Sequence, residues 1–456
     1  MKKNFTISIL AIILFSCQSQ KPIQAENFNP TSSDVQLMEK VQKDALKYFW
    51  DFAEPNSLLA RERYHQDGIY PENDAHIVAT GGTGFGLATI LVGVEKGYIK
   101  RDDAVKRLHK IMDFLAKADR FHGAWSHWIN GETGKAVPFG GNKLDNGGDL
   151  VETAFLAENL ICVREYFKNG NEQEKLLAKK CDDLWKGIEW NWYTKNGEKT
   201  LYWHWSPDHQ WQMNVPLKGY NETLITYIMA TSSPEYSIDA ETYYNCWTDN
   251  GKYTTNHKKY GLPLFVKFDR AEEFGGPLFW AHYSYIGLDP RGLSDKYVKN
   301  YFELNQNQVL IDYQYCLKNP KKWKGYNKNY WGLTASYSYT PDGSFGYQAH
   351  MPGNDFGVIS PTAALSSFPY TPKESMDFLK FIYSQPQFIG EAGPFDATSI
   401  HYNNWALPRY LAIDQGTIAP MIENYKTGFL WKLFMNAPEI RKGLQKLDFH
   451  STEYGF

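Results

Sequence analysis

The sequence has few cysteines, no surplus charge of either sign and no metal-binding spacing. Its 456 residues include five cysteines, and none forms a CxxC pair or the Cys/His spacing of a zinc site. Cys162 and Cys181 lie in apolar helical patterns, which favours buried free thiols. The 48 basic and 51 acidic residues leave a net charge of -3 without a Lys/Arg stripe. The composition therefore argues against a structural zinc site and against nucleic acid as a partner.

The apolar run that stands out is short and N-terminal. Residues 5–15 are too few to span a bilayer, and Lys2 and Lys3 precede them in the charge order of a secretory signal. We therefore expect residues 1–16 to be a signal peptide and the protein to be exported to the periplasm or the outer membrane.

Cys17 follows this run directly and resembles the acylated cysteine of a bacterial lipobox. Ordinary cleavage near Ala25 is the alternative. Residues 17–33 are polar and without periodicity, as expected of a tether. The expected contact with a membrane is therefore limited to a lipid on Cys17.

Helical periodicity recurs from residue 34 onward, and strand signals are confined to short connecting pieces. No Gly/Ser-rich or Pro-rich linker divides the series, so residues 34–456 are predicted to form one all-α domain. About a dozen helices with alternately short and long loops fit an (α/α)6 toroid of six helical hairpins, and they fit an open solenoid equally well. The predicted helices are 34–54, 82–97, 101–118, 147–169, 172–192, 216–230, 276–288, 294–317, 354–367, 373–384, 417–434 and 437–446.

Aromatic residues are abundant, with 15 Trp, 31 Tyr and 27 Phe. Three long loops, 124–148, 201–222 and 334–355, mix them with Gly, Asn, Asp and His, and loops this long in a compact domain are usually functional. Indole and phenol rings suit the C–H faces and hydroxyl rim of a sugar, although such rings also fill gaps between helix ends. The substrate-binding candidates are Trp125, Trp128, Trp203, Trp205, Trp211, His204, Tyr347 and Asp355.

Two glycine-containing stretches and the loop histidines carry weaker signals. GGTGFG at 81–86 lacks the preceding strand of a dinucleotide fingerprint and is interpreted as a tight loop into a helix. GPFDATSI at 393–400 is a candidate cleft loop without assignable chemistry. The histidines show no metal-ligand spacing, so they are expected to bind substrate or to pack; they are His122, His127, His204 and His209.

DNGGDLVETAF (145–155) gathers Asp145, Asp149 and Glu152 on one face of a helix that is predicted to begin near residue 146. Capping and the helix dipole account for the first acid and in part for the second, but not for Glu152 or for the glycine pair. Neighbouring carboxyl groups raise one another's pKa, which keeps one protonated as an acid while another stays ionised as a base. A calcium site is the competing use of the same oxygens.

Two further acids stand where a loop meets a helix. Glu222 opens the apolar helix of GYNETLITYIM (219–229), where the helix dipole alone would also explain it. Asp414 precedes the helix start at Thr417 in AIDQGTIAPMIENY (412–425), and a solvated loop acid is the alternative. Helix entries of a closed helical barrel can converge on one rim, and glycoside hydrolysis needs two carboxyl groups across the scissile bond.

The stretches DNGGDLVETAFL, GYNETLITYIMA, HMPGNDFGVISPTAAL and IDQGTIAPMIENY together resemble glycoside hydrolase family 144, the glucoamylase-like β-1,2-glucanases of Bacteroidetes. The similarity runs from about residue 37 to residue 447. It implies an (α/α)6 barrel, an inverting mechanism without metal or organic cofactor, and a β-1,2-linked glucan or oligosaccharide as the substrate.

The resemblance also implies the site. Asp145, Asp149 and Glu152 match the acidic trio of the family, Glu222 matches its further essential glutamate, and Asp414 aligns with a later acid. We expect Glu222 to be the general acid and Asp149 or Asp414 to activate water. Asp145 and Glu152 are then expected to bind sugar hydroxyls or to tune pKa values.

Family resemblance leaves the mode of action open. By analogy with enzymes that finish imported oligosaccharides, we favour exo release of sophorose from the non-reducing end, with endo cleavage as the alternative. The loops at 201–222 and 240–275 would decide by closing one end of the cleft. A non-catalytic glycan-binding lipoprotein and a polysaccharide lyase are the rivals, although a lyase of acidic sugars would need an Arg/Lys-lined cleft.

Overall fold

The computed structural model describes residues 23–340 and 346–456, which are mostly helical. The predicted signal peptide and Cys17 lie outside the described residues. The helices are α1 (Ser32–Trp50), α2 (Thr80–Glu95), α3 (Arg101–Leu115), α4 (Leu150–Phe167), α5 (Glu172–Lys186), α6 (Leu224–Ser232), α7 (Ala240–Thr242), α8 (Tyr301–Lys318), α9 (Pro361–Leu365), α10 (Pro372–Tyr383), α11 (Ala412–Thr427), α12 (Phe429–Met435) and α13 (Pro438–Lys446). None of these helices combines the length and apolar character that crossing a bilayer requires.

An inner layer of helices is buried on nearly every side. It consists of α2, α4, α6, α9 and α11, whose residues are almost all inaccessible to water. The outer helices α1, α3, α5, α10 and α13 each have one buried and one exposed face, the pattern of a helix that packs on a core from outside.

The inner layer closes into a ring. Helix α4 packs between α2 and α6, α9 packs on α11, and α11 packs on α2 near the other end of the chain. Two 3-10 turns, Leu278–Ala281 and Tyr283–Tyr285, connect α6 to α8 in the remaining sector. The all-α toroid that the sequence predicts is therefore confirmed, and the closure of α11 on α2 decides against an open solenoid.

Short strands join the loops at the helix entries. They are β1 (Arg63–His65), β2 (Ile77–Ala79), β3 (Arg120–Phe121), β4 (Ala124–Trp125), β5 (Trp128–Asn130), β6 (Ala136–Val137), β7 (Gly148–Asp149), β8 (His204–Trp205), β9 (Lys258–Lys259), β10 (Leu262–Pro263), β11 (Leu293–Ser294), β12 (Ala335–Ser338), β13 (Gly346–Ala349), β14 (Ile389–Gly390), β15 (Gly393–Pro394), β16 (Thr398–Ser399), β17 (Trp405–Ala406), β18 (Arg409–Leu411) and β19 (His450–Ser451). All of their pairings are antiparallel, and they include β1 with β18 and β7 with β8.

Several predicted helix boundaries are wrong, and three of them matter for the site. Helix α4 begins at residue 150 instead of near 146, so Asp149 becomes its N-cap. Helix α6 begins at residue 224, which leaves Glu222 in the preceding loop. Helix α11 begins at residue 412, because strand β18 leads straight into it, and Asp414 therefore lies in its first turn instead of in a loop.

Glycine and proline account for other differences. The predicted helix 276–288 is only the two 3-10 turns, which follow Gly275 and Gly276 at φ +95° and +73°. The predicted helix 417–434 is divided by Gly428 at φ +66°. The predicted helix 354–367 is reduced to the five residues that start at Pro361.

The GGTGFG stretch was predicted from its glycines to be a loop, and this prediction is wrong. The stretch is the first part of helix α2. Its glycines allow α2 to approach α4 closely: a Cβ on Gly84 would lie 2.5 Å from the carbonyl oxygen of Phe155 and 2.6 Å from the Cα of Leu156. Backbone atoms cannot move aside without shifting the helix. The contact between the two inner helices therefore depends on glycine at this position.

Gly84→Ala is expected to lower the free energy of unfolding by about 1 to 3 kcal/mol, because the added methyl group forces α2 and α4 apart. Gly187→Ala is the matched control, since Gly187 ends α5 at φ -79° and its Cβ would meet its nearest neighbour, the Asp183 carbonyl, at 3.4 Å. Denaturant unfolding of both variants checks the prediction. Equal stability of the two variants would contradict it.

The four described cysteines are free thiols. Cys162 and Cys181 are buried in helices α4 and α5, as predicted from their apolar patterns.

Candidate active site

The strand pairs bring distant acidic segments to one end of the inner helices. In the β7/β8 pair, Asp149 lies opposite His204, which joins the acidic loop before α4 to the aromatic loop 201–222. In the β1/β18 pair, Arg63 lies opposite Leu411, which places Glu62 beside the start of α11. Segments that are far apart in sequence therefore meet at neighbouring helix entries.

The glycine pair before α4 makes this joining possible. A Cβ on Gly147 would lie 2.1 Å from the carbonyl oxygen of Trp205, and a Cβ on Gly148 would lie 2.0 Å from the hydroxyl of Tyr193. The glycines that capping could not explain are thus required by the close approach of the neighbouring loop.

Asp149 is the most firmly held of the acids. Its Oδ1 caps α4 by accepting the N–H groups of Val151 and Glu152, each at 2.9 Å. Its Oδ2 accepts from His127 Nδ1 and from Trp203 Nε1, each at 2.9 Å. With four donors on a fully buried carboxylate, Asp149 organises the site around it.

His127 is the cation at the centre of this cluster. Besides donating to Asp149, it places Nε2 3.8 Å from Oε1 of Glu152. Burial would lower the pKa of His127, but the carboxylates of Glu152, Asp149 and Glu62 outweigh burial and raise it to about 10. His127 is therefore an imidazolium at neutral pH, and it offsets part of the surrounding negative charge.

The pKa values of Asp145 and Glu152 both lie near neutral pH. Burial and the charge of Asp149 raise the pKa of Asp145 to about 7. Burial likewise raises the pKa of Glu152 to about 7, against the opposing effect of His127. The Oε2 of Glu152 accepts the N–H of Gly81 at 2.7 Å, so the first glycine of α2 anchors this side chain. The trio predicted from the sequence is thus assembled, although helix α4 starts after the first two of its members.

Glu222 lies close enough to the trio to interact electrostatically with Glu152. Burial, with the carboxyl groups of Asp269 and Glu152, raises the pKa of Glu222 to about 7. Ser284 donates to its main-chain oxygen at 2.6 Å, which fixes the loop before α6 against the 3-10 turns. Glu222 therefore belongs to the same group of interacting carboxyl groups as Glu152 and is about half protonated at neutral pH.

Asp414 is buried, so the alternative of a solvated loop acid is wrong. The hydroxyl of Tyr283 donates to its Oδ1 at 3.3 Å, and Asp396 is its neighbouring carboxyl group. Burial and the Asp396 charge raise the pKa of Asp414 well above its usual range.

Tyr347 marks the point where the acids converge. Burial of its phenol, followed by the carboxyl groups of Asp414, Asp396, Glu62 and Glu222, raises its pKa well above the usual range. Yet the side chain is 54% exposed. Because these four carboxyl groups all act on the pKa of one exposed phenol, they lie around the surface that Tyr347 faces, which we call the hollow.

Three residues of this hollow were missed or unassigned in the sequence. His127 was only one of several loop histidines. Glu62 is a single acid in a charged stretch, and its pKa is raised by burial although Arg63 opposes the shift. Asp396 belongs to the stretch 393–400, which was recognised as a candidate cleft loop, but nothing in the sequence pairs it with Asp414.

The aromatic and polar candidates divide into two groups. Trp128 stands beside Arg63, whose guanidinium lies 5.6 Å from the ring, and Trp203 binds Asp149 directly. His204 receives the N–H of Gly147 at 3.0 Å on its Nε2, and burial lowers its pKa, so it is a neutral neighbour of the acids. These residues, with Tyr347, belong to the hollow.

Trp125 and Asp355 do not belong to the hollow, and their prediction as substrate-binding residues is corrected. Trp125 is fully buried, and its indole N–H binds the Leu115 carbonyl at 3.0 Å, so no ring face remains for a sugar. Asp355 is buried and accepts from Tyr326 and from the N–H of Gly357. Trp205 packs on His122 and Trp192, and Trp211 packs on Tyr193 and Tyr202.

One group among the described residues has metal-ligand spacing. The possible donor atoms of His127, Asp145 and Asp149 lie within 4.8 Å of one another. A calcium ion there would compete with the four donors that Asp149 already binds and with the proton on His127. The hydrogen bonds therefore favour the imidazolium and carboxylate cluster over the calcium alternative.

An open cavity of about 710 Å³ lies next to the loop that precedes Glu222, with Lys218 and Gly219 in its wall. Asp269, which raises the pKa of Glu222, lines this cavity together with Trp247 and Phe268.

His127 should make stability depend on pH. Its folded pKa lies above the ordinary value of 6.5, so the stabilisation is fully present below pH 6.5 and is lost as pH rises toward about 10. We expect the melting temperature to fall over this range, and to fall less in His127→Gln. His257→Gln, at an exposed histidine, is the control and should follow the wild type. Parallel curves for wild type and His127→Gln would contradict the assignment.

Comparison with known proteins places the chain among carbohydrate-active relatives. A model of the Glycoamylase family matches residues 214–438. An exo β-1,2-glucooligosaccharide sophorohydrolase (non-reducing end) of Parabacteroides distasonis is 43% identical over 98% of this chain. The chain spans 62% of that relative's length.

Solved structures show the same similarity. The endo-β-1,2-glucanase of Chitinophaga pinensis, in complex with sophorotriose and glucose, is 53% identical with a TM-score of 0.88, over 92% of this chain and 99% of that one. The β-1,2-glucanase of Parabacteroides distasonis is 43% identical with a TM-score of 0.83, over 93% of this chain and 61% of that one.

Proposed function

We propose that this protein hydrolyses β-1,2-glucosidic bonds of glucan or glucooligosaccharides with inversion. The chain belongs to glycoside hydrolase family 144, the glucoamylase-like β-1,2-glucanase family of Bacteroidetes. The observation that carries the proposal is the convergence of Glu62, Glu222, Asp396 and Asp414 on the phenol of Tyr347 in an open hollow. Such an arrangement can protonate a glycosidic oxygen and activate water in one place.

Glu222 is the general acid of this proposal. A carboxyl group with a pKa near 7 is protonated in about half of the molecules at neutral pH, and in that form it can give its proton to the leaving oxygen. Asp269 and Glu152 favour the protonated form because a further negative charge beside them is unfavourable.

Asp414 is the better of the two candidates for the base. Asp149 uses both of its oxygens to hold His127, Trp203 and the start of α4, so we assign it the positioning of the cluster. Asp414 and the acid candidate Glu222 both act on the pKa of Tyr347. Asp145 and Glu152, next to His127, then bind sugar hydroxyls and tune the charge.

The mode of action that we propose is release of sophorose from the non-reducing end, the activity named for the Parabacteroides distasonis sophorohydrolase. Endo cleavage is the second candidate, because the Chitinophaga pinensis endo-β-1,2-glucanase is 53% identical over nearly its whole length.

Sophoropentaose whose reducing end has been reduced to the alditol tests both the chemistry and the mode. Exo action at the non-reducing end produces unreduced sophorose as the first product, followed by shortened alditols. On long β-1,2-glucan it should release sophorose while the mean chain length falls slowly, whereas endo action shortens the chain at once. No cleavage of either substrate would refute the proposed function.

The pH profile of kcat/KM provides a separate prediction. Because Glu222 must carry its proton to act as the acid, activity should fall by about tenfold per pH unit above the pKa of about 7. Initial rates on sophoropentaose between pH 5 and pH 9 check this. A rate that stays constant or rises over the alkaline part of that range would contradict the assignment of the acid.

We also propose export and a lipid anchor on Cys17, supported by the apolar run and by the polar tether that follows it. Fractionation of a Gram-negative host should find the wild-type protein in the membrane and Cys17→Ser outside the membrane fraction. If the wild type is also found in the soluble periplasm, cleavage near Ala25 replaces lipidation.

A further inference from the structure

Asp396 and Asp414 are two buried carboxyl groups in direct contact. Asp396 lies between β15 and β16, and Asp414 lies in the first turn of α11. Their side chains form a hydrogen bond with each other. Two carboxylates can only accept hydrogen bonds, so this contact requires a proton between them.

The remaining contacts fix the pair in this position. Asp396 Oδ2 accepts the N–H of Tyr337 at 2.8 Å, and Asp414 Oδ1 accepts the hydroxyl of Tyr283 at 3.3 Å. The other oxygens, Asp396 Oδ1 and Asp414 Oδ2, are buried and find no N–H or O–H donor among the described residues. A proton shared between the two carboxyl groups would satisfy such unpartnered buried oxygens.

We propose that Asp396 is a positioning residue for glycoside hydrolysis, which shares a single proton with Asp414 so that the pair acts on water as one base. The inference rests on the proposed function for its role in catalysis, but the shared proton itself does not. The groups that face the pair are Glu62, Arg63, Tyr283, Tyr337 and Tyr347.

The charges around the pair support one bound proton. Burial raises the pKa of Asp396 to about 6, although the hydrogen bond with Asp414 opposes the shift. Burial and the charge of Asp396 raise the pKa of Asp414 well above its usual range, because a second negative charge in this place is unfavourable. Glu62 adds to the repulsion, whereas Arg63 opposes it at Asp396. At neutral pH the pair therefore carries one negative charge and one proton.

The reaction balances with this starting state. The oxygen of water bonds to the anomeric carbon as the bond to the leaving sugar oxygen breaks, and that oxygen takes the proton of Glu222. The proton of water passes to the pair, which then holds two protons. After the products leave, the pair loses one proton to solvent and Glu222 regains one.

Infrared titration of the protonated carboxyl stretch tests the shared proton without an activity assay. Subtracting the spectrum of Asp414→Asn isolates the Asp414 signal. In Asp396→Asn the neighbouring charge is lost and an amide donor takes its place, so Asp414 should release its proton at a pH lower by at least about one unit. Ser360→Ala is the control: it removes only the hydroxyl that binds the Asp396 carbonyl oxygen at 3.0 Å, and it should cause no shift.

The reciprocal measurement keeps the test decisive if Asp396→Asn does not fold. Asp414→Asn should move the proton release of Asp396 to higher pH, because the hydrogen bond with Asp414 lowers the pKa of Asp396 in the wild type. Independent titration of the two groups, with a shift in neither variant, would overturn the proposal.

The role of Asp396 in hydrolysis is tested separately, by the pH profile of kcat/KM. The acid limb of the kcat/KM profile on sophoropentaose should shift in Asp396→Asn, because one of the two groups that release the proton is gone, and it should stay in place in Ser360→Ala. An unmoved limb together with a shifted infrared titration would remove Asp396 from the reaction but not from the pair. If the wild type cleaves no β-1,2 substrate, the proposed function fails while the infrared result still decides the shared proton.

Discussion

Glu222→Gln should lower kcat/KM on β-1,2-glucooligosaccharides by about 10² to 10⁴-fold, the range that a positioned general acid contributes. Glutamine keeps the size and polarity of the side chain but has no proton to give to the leaving oxygen. The fold should be retained, because a carboxyl group that burial keeps near pKa 7 is replaced by a neutral amide. Steady-state rates with sophoropentaose, together with thermal unfolding, measure both effects.

Glu235→Gln is the matched control for this variant. It makes the same chemical change at an exposed glutamate beyond the end of α6, and it should leave the rate unchanged. If Glu222→Gln keeps wild-type activity, another group protonates the leaving oxygen. If the wild type and Glu222→Gln bind the oligosaccharide equally well and neither cleaves it, the protein is a glycan-binding protein instead of an enzyme.

Asp414→Asn should cause a loss of similar size, about 10² to 10⁴-fold in kcat, because it removes the group that accepts the proton of water. KM should change little, since Asp414 contacts Tyr283 and Asp396 and acts on water. Kinetics on sophoropentaose separate the two parameters.

Thr362→Ala is a control in helix α9, next to the turn that holds Asp414. The Thr362 hydroxyl binds the main-chain oxygen of Asp414 at 2.7 Å, so its removal loosens the turn but leaves the carboxyl group in place. It should cost far less activity than Asp414→Asn. Equal losses in the two variants would assign Asp414 a structural role.

The sequence predicts those parts of the fold that depend on the local spacing of apolar residues. The outer helices follow apolar patterns of period 3.6, the inner helices are apolar on nearly every side, and the acidic trio is visible because Asp145, Asp149 and Glu152 are close in sequence. Boundaries are less accurate where a strand runs directly into a helix, as before Asp414, or where glycines such as Gly84 are needed for packing inside a helix.

The rest of the site depends on contacts that no local pattern contains. Glu62 reaches the hollow because β1 pairs with β18, and Asp396 becomes important only through its contact with Asp414. The loop tryptophans show the same limit. Trp125 and Trp128 are three residues apart in one aromatic loop, yet Trp125 lies in the core while Trp128 stands beside Arg63.

The configuration of the first product tests the central claim most directly. The claim is that an acid on the α6 entry and a base on the α11 entry act together on one glycosidic bond with a water molecule between them. Proton NMR during rapid hydrolysis of sophoropentaose should show the new reducing end appearing first as the α-anomer and mutarotating later. A reducing end that appears first as the β-anomer would mean retention through a covalent intermediate and would contradict the account.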